Sequence, residues 1–166
     1  MSDLARLAKP FARHLIHANP SGQGRGDYVA HSAITEKLLA VVGPFDFALV
    51  QILRGDYKDR PNVVVGAVCR LTVEVDGRRV SVEEVGDCEN PGNWPHDGAR
   101  MKDAMSDAIK RCAMRLGVGL HLWSQDEFFL FDVLSKKEGP LVVPAEASLA
   151  GVAQARAALD GSEPFE

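Results

Sequence analysis

Residues 32–42 repeat apolar side chains at the spacing of one face of an α-helix. The apolar positions are Ile34, Leu38, Val41 and Val42. Ser32 is a residue type that caps helices, and Gly43 followed by Pro44 is a stop signal. We therefore expect a helix from Ser32 to Val42.

A longer stripe of the same kind lies in residues 98–116. Its members are Met101, Met105, Ala108, Ile109, Cys112 and Leu116. Asp97 is placed to cap the first turn, and Gly117 follows the last turn. The pattern predicts an amphipathic helix with one buried face and one charged face.

Between these helices the pattern changes to the period of β-strands. Residues 45–53 predict a first strand. In residues 63–75 all odd positions are apolar while the later even positions are polar, which predicts a strand with one face toward a core. An Asp-Gly dipeptide then predicts a hairpin turn, and the return strand changes parity at Glu83-Glu84, which indicates a bulge.

Both ends of the chain differ from the middle in composition. Residues 1–26 carry four basic residues against one acid, and we expect a basic, irregular arm with a short helix from Pro10 to about His17. Residues 138–166 are rich in alanine, proline and acid, and we expect a weakly structured acidic tail. This division leaves residues 27–137 as a core domain.

The net charge of −4 resides in the predicted tail. The tail holds five acidic residues against one arginine, so the first 137 residues carry equal numbers of both signs. The acidic total is therefore no argument against a nucleic-acid partner, because an acidic tail can mask a locally basic surface.

Composition and missing motifs argue against several classes of protein. A hydrophobic share of 46% with 25% charged residues is ordinary for a globular domain. No apolar run is long enough to span a membrane, and the N-terminus has no apolar signal region, so we expect a cytoplasmic protein with free thiols. The chain has no GxxxxGKS/T, HExxH or GxSxG motif, which disfavours ATP-driven motors, zinc sites and serine hydrolases. We expect no metal and no cofactor.

A row of long cations flanks the apolar stripe of the second helix. These are Arg100, Arg111 and Arg115 along one flank, Lys110 along the other, and Lys102 nearer the apolar edge. Such a row could follow the phosphate backbone of a nucleic acid. The alternative is a solvated face, on which Asp107 pairs with Lys110 and Arg111 at helical spacing.

Two other features could carry chemistry. Trp94, in a loop rich in proline and glycine, could stack on a base, although such an aromatic more often covers an edge of its own domain. Glu83, Glu84 and Asp87 could hold Mg²⁺ in a nuclease. Neighbours on a strand point to opposite faces, so solvated edge charges are the simpler interpretation of these acids.

Four short motifs follow one another along the chain. They are VGAVC at 65–69, DG at 76–77, EEVG at 83–86, and SDAIKR at 106–111 with Gly117 behind it. Over about residues 28–123 this order resembles the core of the Rad-fifty-two-type single-strand annealing family, including its phage and bacterial relatives. The resemblance implies an α+β fold, in which an antiparallel sheet of a β-β-β-α core packs on helices and the subunits assemble into rings or arcs.

The resemblance also implies where single-stranded DNA binds. Lys110 and Arg111 match the Lys-Arg pair of the family's helix signature, whose cations line a basic groove around the ring. The next groove arginine of the eukaryotic members falls on Met114, and the adjacent Arg115 could substitute for it.

A further groove arginine falls near Ala33, where His31, or Arg25 in the arm, could compensate. The implied activity is ATP-independent single-stranded DNA binding and strand annealing in homologous recombination and DNA repair, with no catalytic residue. The implied partners are single-stranded DNA, further copies of the chain, and a single-strand-binding protein or a recombination exonuclease, with no membrane. Three alternatives stay open: a module that protects DNA ends without annealing, a Mg²⁺-dependent nuclease, and a purely structural oligomer.

Overall fold

The computed structural model describes residues 1–18, 26–124 and 129–136. Its helices are α1 (Asp3–Ala8), α2 (His31–Val42), α3 (Asp97–Met114), α4 (His121–Ser124) and α5 (Leu130–Lys136). Its strands are β1 (Ile16–His17), β2 (Tyr28–Val29), β3 (Asp46–Tyr57), β4 (Arg60–Val75) and β5 (Arg78–Asp87). The short β1 and β2 pair with each other, while β3, β4 and β5 form an antiparallel sheet in that order.

Helix α3 covers one face of the three-stranded sheet. The odd positions of β4 from Ala67 to Val75 are buried on this face, while Arg70 and Glu74 on the opposite face are exposed. Ala67 packs in one cluster with Ala108 of α3, so the apolar stripe of the helix faces the sheet as its period predicted. The arrangement confirms the α+β fold with an antiparallel β-β-β-α core.

Glycine in β5 allows α3 to approach the sheet closely. A Cβ atom on Gly86 would lie 2.1 Å from the carbonyl oxygen of Ala104 and 2.4 Å from the amide nitrogen of Ala108. Both atoms belong to the backbone of α3, which cannot move aside as a flexible side chain can. This contact fixes the height of α3 above the sheet, and with it the position of the charged face of the helix.

Within the predicted arm, residues 3–8 form a helix that belongs to the core. Helix α1 begins after Ser2, whose hydroxyl accepts a hydrogen bond from the amide of Ala5 at 3.2 Å. Leu7 is fully buried and shares a cluster with Leu38 of α2 and Leu71 of β4. The segment therefore contributes one wall of the hydrophobic core.

The predicted helix from Pro10 to His17 is wrong. Pro10 follows the last residues of α1 and suits a helix end, because proline cannot continue a helix. The chain then forms a 3-10 turn, Arg13–Leu15, followed by the short strand β1. The division of the chain at residues 26 and 137 stays a prediction, and the acidic tail lies outside the described residues. No helix in the described ranges is both long and apolar enough to cross a membrane.

The irregularities of the sheet lie between β3 and β4. The pairing of these strands shifts at three places, whereas β4 and β5 pair without interruption from Gly66↔Asp87 to Val75↔Arg78. The predicted bulge at Glu83-Glu84 is therefore wrong. Side chains of β5 continue to alternate between the two faces of the sheet through this region. Glu84 lies on the helix-covered face, where it pairs with Arg115. Val85 lies on the other face and is 43% exposed.

Two predicted helix caps differ from the observed ones. Helix α2 begins one residue before Ser32, without a side-chain cap. At α3 the capping residue is His96, whose Nδ1 accepts a hydrogen bond from the amide of Ala99 at 3.2 Å, and Asp97 is the first helical residue. In both cases the helix position was predicted correctly within a residue or two, while the capping residue was not.

The three cysteines are free and buried, which leads to a prediction about pH. Burial raises the pKa of Cys88 and of Cys112 to about 11. Thiols of the unfolded chain ionise at about pH 8.5, so between that pH and about 11 the unfolded chain binds fewer protons than the folded chain. The free energy of unfolding therefore falls as the pH rises through this range.

Burial of the thiols also predicts slow chemical labelling. We expect a thiol reagent at about pH 8 to label the native protein slowly and the urea-unfolded protein rapidly. Rapid labelling of all three thiols in native protein would contradict this.

Candidate nucleic-acid interface

Three cations lie at the C-terminal end of α3, at the rim of its buried stripe: Lys110 and Arg111 in its last two turns, and Arg115 as its C-cap. The side chains of Lys110, Arg111 and Arg115 are 38%, 36% and 60% exposed. Helical spacing brings these residues to the same end of α3, and the close contact at Gly86 holds the middle of the helix, at Ala104 and Ala108, against the sheet. The rim therefore offers three positively charged groups within one helical segment.

Carboxylates of the same subunit pair with all three cations. Asp107 accepts a hydrogen bond from Nε of Arg111 at 2.7 Å and lies 3.4 Å from Nζ of Lys110. Glu84 pairs with Arg115. The hydrogen bond that Arg111 donates to Asp107 raises the pKa of Arg111, against the opposing effect of burial. The pairing that the solvated-face interpretation predicted is therefore present, and the rim of a single subunit is close to neutral.

These pairs still leave binding capacity at the rim. A partly exposed ion pair contributes only about 0–1 kcal/mol to stability, because water competes with it. A guanidinium carries five N–H donors, and the bond from Arg111 to Asp107 uses one of them. A phosphate can therefore bind these cations without the loss of a strong internal interaction.

Two aromatic side chains lie beside the rim, and sequence reasoning missed both. Trp123 and Tyr28 line a cleft of about 80 Å³ together with Lys110 and Arg111. Cζ of Arg111 lies 6.0 Å from the centre of the Trp123 ring. Trp123 is 64% exposed and Tyr28 is 45% exposed. No local pattern could have found this pair, because the two residues are far apart in the chain.

The predicted site residue Arg100 lies elsewhere. Only 5% of Arg100 is exposed, and its guanidinium donates hydrogen bonds of 2.8 Å to the carbonyl oxygens of Pro91 and Trp94. It also donates to Asp97 at 2.9 Å. Arg100 therefore holds the loop before α3 in place, and its buried donors are not available to a phosphate.

This role predicts a loss of stability on substitution of Arg100. We expect Arg100→Ala to lower the free energy of unfolding by about 2 kcal/mol, because buried carbonyl oxygens lose charged donors. Lys102→Ala is the matched control, since Lys102 is exposed two residues further along the same helix. Urea denaturation measures both variants, and equal stability of the two would contradict the structural role of Arg100.

Trp94 and Lys102 do not lie at the rim. Trp94 donates from Nε1 to Asp103 at 3.3 Å, and Asp103 lies about 12 Å along the helix before Arg111. Lys102 is exposed in the same N-terminal half of α3. Arg25 lies outside the described residues. Met114 lines the cleft beside Lys110 at the position where the resemblance places an arginine.

The acids considered for a nuclease do not converge. Glu83 pairs with Arg70 at 2.6 Å on the exposed face of the sheet, whereas Glu84 pairs with Arg115 on the helix-covered face. Among the described residues, no group of three or more His, Cys, Asp or Glu side chains is placed to hold a metal ion. The alternation along β5 thus separates Glu83 from Glu84, whereas Asp87 has the parity of Glu83 but lies four residues, or about 13 Å, further along the strand.

Comparison with known protein families gives a match over most of the chain. The model of the Rad52/22 family, described as double-strand break repair proteins, matches residues 4–141. The matched span contains the three-stranded sheet, α3 and the three cations at its rim. A comparison with curated proteins finds no match.

Proposed function

The chain belongs to the Rad52/22 family of double-strand break repair proteins, and from this membership we propose that it binds single-stranded DNA and anneals complementary strands without ATP. It acts in homologous recombination and DNA repair as a homo-oligomeric ring or arc, and breaks no covalent bond. The observation that carries the proposal is the family match over residues 4–141, which includes the Lys110-Arg111 pair of the α3 signature.

The cations at the rim of α3 support binding through phosphates. Lys110, Arg111 and Arg115 are partly exposed, and binding of phosphates to them releases counterions from the DNA. Their internal carboxylate partners weaken the binding of a single subunit. Repetition of the rim in an oligomer compensates, because each further contact on the same strand forms at a high effective concentration.

Annealing follows from this mode of binding. Two complementary strands pair slowly in water because their backbones repel and their own secondary structure competes. Cations that neutralise the phosphates reduce the repulsion between the backbones. A strand held along the rims of neighbouring subunits is extended, which reduces its own secondary structure. Base stacking in the new duplex then supplies about 1.4 kcal/mol per step, so no nucleotide is hydrolysed.

The edges of the sheet support self-association. Within the described residues, β3 and β5 each pair with β4 alone, so each leaves one side of its backbone open. Leu49, Val50 and Ile52 of β3 are all more than 40% exposed, which is typical of a contact surface. A mass measurement with and without single-stranded DNA tests this part of the proposal, and a monomer under both conditions would contradict the ring or arc.

Titration of a labelled oligonucleotide tests the DNA-binding part. We expect binding without nucleotide, and a plot of log affinity against log salt concentration with a slope of about −2 or steeper, since each of three cations contributes roughly 0.7. An absence of binding at low salt would refute the proposal. Cleavage of the DNA on addition of Mg²⁺ would favour the nuclease, and binding without any acceleration of annealing would favour the end-protecting module.

The location and the protein partners follow from the same role. We place the protein in the cytoplasm, or in the host cytoplasm if it is encoded by a phage. A single-strand-binding protein or a recombination exonuclease would meet the same DNA. Both statements stay predictions.

A further inference from the structure

We infer that Trp123, together with Tyr28, forms a stacking platform for one unpaired base beside the cations of α3. The inference rests on the proposed function, since it assigns the recognition of single strands to particular side chains of the same site. Neither residue belongs to the motifs that carry the family resemblance.

The geometry of the cleft places aromatic surface beside phosphate-binding groups. The Trp123 ring lies 6.0 Å from Cζ of Arg111, and Tyr28 lines the same cleft. The two chain segments touch, since a Cβ atom on Gly26 would lie 3.3 Å from the carbonyl oxygen of Leu122. A strand whose phosphates contact Lys110 and Arg111 would therefore bring a neighbouring base to Trp123.

The size and exposure of the cleft favour a stacked base over an enclosed ligand. At about 80 Å³ the cleft is far below the roughly 300–1,000 Å³ of a small-molecule site. Trp123 is nevertheless 64% exposed, so a large apolar surface remains in water until something covers it. A base stacked on the indole covers this surface while its pairing edge stays accessible to a second strand.

Stacking on Trp123 would discriminate between single and double strands. Phosphate contacts alone bind both forms, because both carry one negative charge per nucleotide along the backbone. In a duplex each base is already stacked on both faces, so it has no face available for the indole. Trp123 would thus select the unpaired strand that annealing requires.

The other tryptophan provides an internal comparison. Trp94 donates its Nε1–H to Asp103, whose negative charge repels phosphate. It is 36% exposed and lies near the opposite end of α3. We therefore expect Trp94 not to contact the bound strand, although the two residues are chemically identical.

The test compares an oligothymidylate of about 30 nucleotides with an abasic oligonucleotide of the same length and charge. We expect the wild-type protein to bind the oligothymidylate at least tenfold more tightly, because one stacked base typically adds about that much affinity and a strand that spans several subunits stacks more than one base. Trp123→Ala should bind both probes with equal affinity, and Trp123→Phe should restore most of the preference. Trp94→Phe should behave as the wild type.

Intrinsic fluorescence gives a second readout that does not depend on a change at Trp123. In the Trp94→Phe variant all tryptophan emission comes from Trp123, and we expect oligothymidylate, but not the abasic probe, to quench it. No quenching, with oligothymidylate still bound, would overturn the inference and leave the proposed function intact. Failure of the wild-type protein to bind either probe would overturn both.

Discussion

Replacement of both Lys110 and Arg111 by alanine is expected to lower the affinity for single-stranded DNA by about two orders of magnitude. Each contact between a charged donor and a phosphate contributes about 1.5 kcal/mol, so the loss of two is about 3 kcal/mol, or somewhat more than 100-fold. The fold should persist, because the ion pairs of these partly exposed side chains with Asp107 contribute little to stability. Fluorescence anisotropy of a labelled oligonucleotide measures the change.

The double variant Arg78→Ala, Arg79→Ala is the matched control. It removes the same charge from two exposed positions at the start of β5, next to the hairpin turn. We expect its affinity to stay within about twofold of the wild type, since the Debye length of about 8 Å screens distant exposed charges at physiological salt. Equal losses in both double variants would mean that net charge, and not the rim of α3, accounts for binding. If neither double variant loses affinity for single-stranded DNA, Lys110 and Arg111 belong to a solvated face and do not bind DNA.

Substitution of Gly86 by alanine is expected to lower the free energy of unfolding by about 3 kcal/mol or more. The new Cβ atom would lie 2.1 Å from the carbonyl oxygen of Ala104, well inside van der Waals contact, and only a shift of α3 away from the sheet relieves the clash. Such overpacking at a helix–sheet contact typically costs about 1–3 kcal/mol, and more where only backbone can move.

Gly55→Ala is the control for this substitution. Gly55 is also a strand glycine, but a Cβ atom there would meet the nearest side-chain atom of Val65 at an ordinary 3.5 Å. Urea unfolding should therefore show a change of less than about 1 kcal/mol for this variant. If both variants unfold at the same urea concentration as the wild type, the backbone of α3 does not lie in contact with Gly86 of β5.

The elements with a clear hydrophobic period were predictable from the sequence. The alternation in β4 and the stripe of α3 each record which side chains face the core, and both elements lie where the pattern indicated. The short α1 was missed because the arm was judged by its charge, although Leu4, Leu7 and Ala8 already have helical spacing. The family motifs located Lys110 and Arg111 on the correct helix.

The sequence predicted only those residues of the candidate site that lie on a single helix or strand. Arg100 lies on the same flank as Arg111 on a helical wheel. The carbonyl oxygens of Pro91 and Trp94, in the loop before α3, nevertheless accept hydrogen bonds from its guanidinium. The juxtaposition of Tyr28 and Trp123 depends on tertiary packing between distant segments, which no local pattern records. Glu84 is a charged residue at a position of β5 where the alternation predicts an apolar one. Its partner, Arg115, lies at the end of α3, so the strand pattern alone does not reveal the pairing.

Annealing kinetics measure the proposed activity itself. Two complementary oligonucleotides, labelled as donor and acceptor for energy transfer, are mixed at low salt without any nucleotide, with the wild-type protein, with the Lys110→Ala, Arg111→Ala variant, or alone. We expect the wild type to accelerate pairing at least tenfold, with no further effect of ATP, and the variant to stay near the spontaneous rate. A wild-type rate equal to that of the free strands, or an acceleration that requires ATP, would contradict the account.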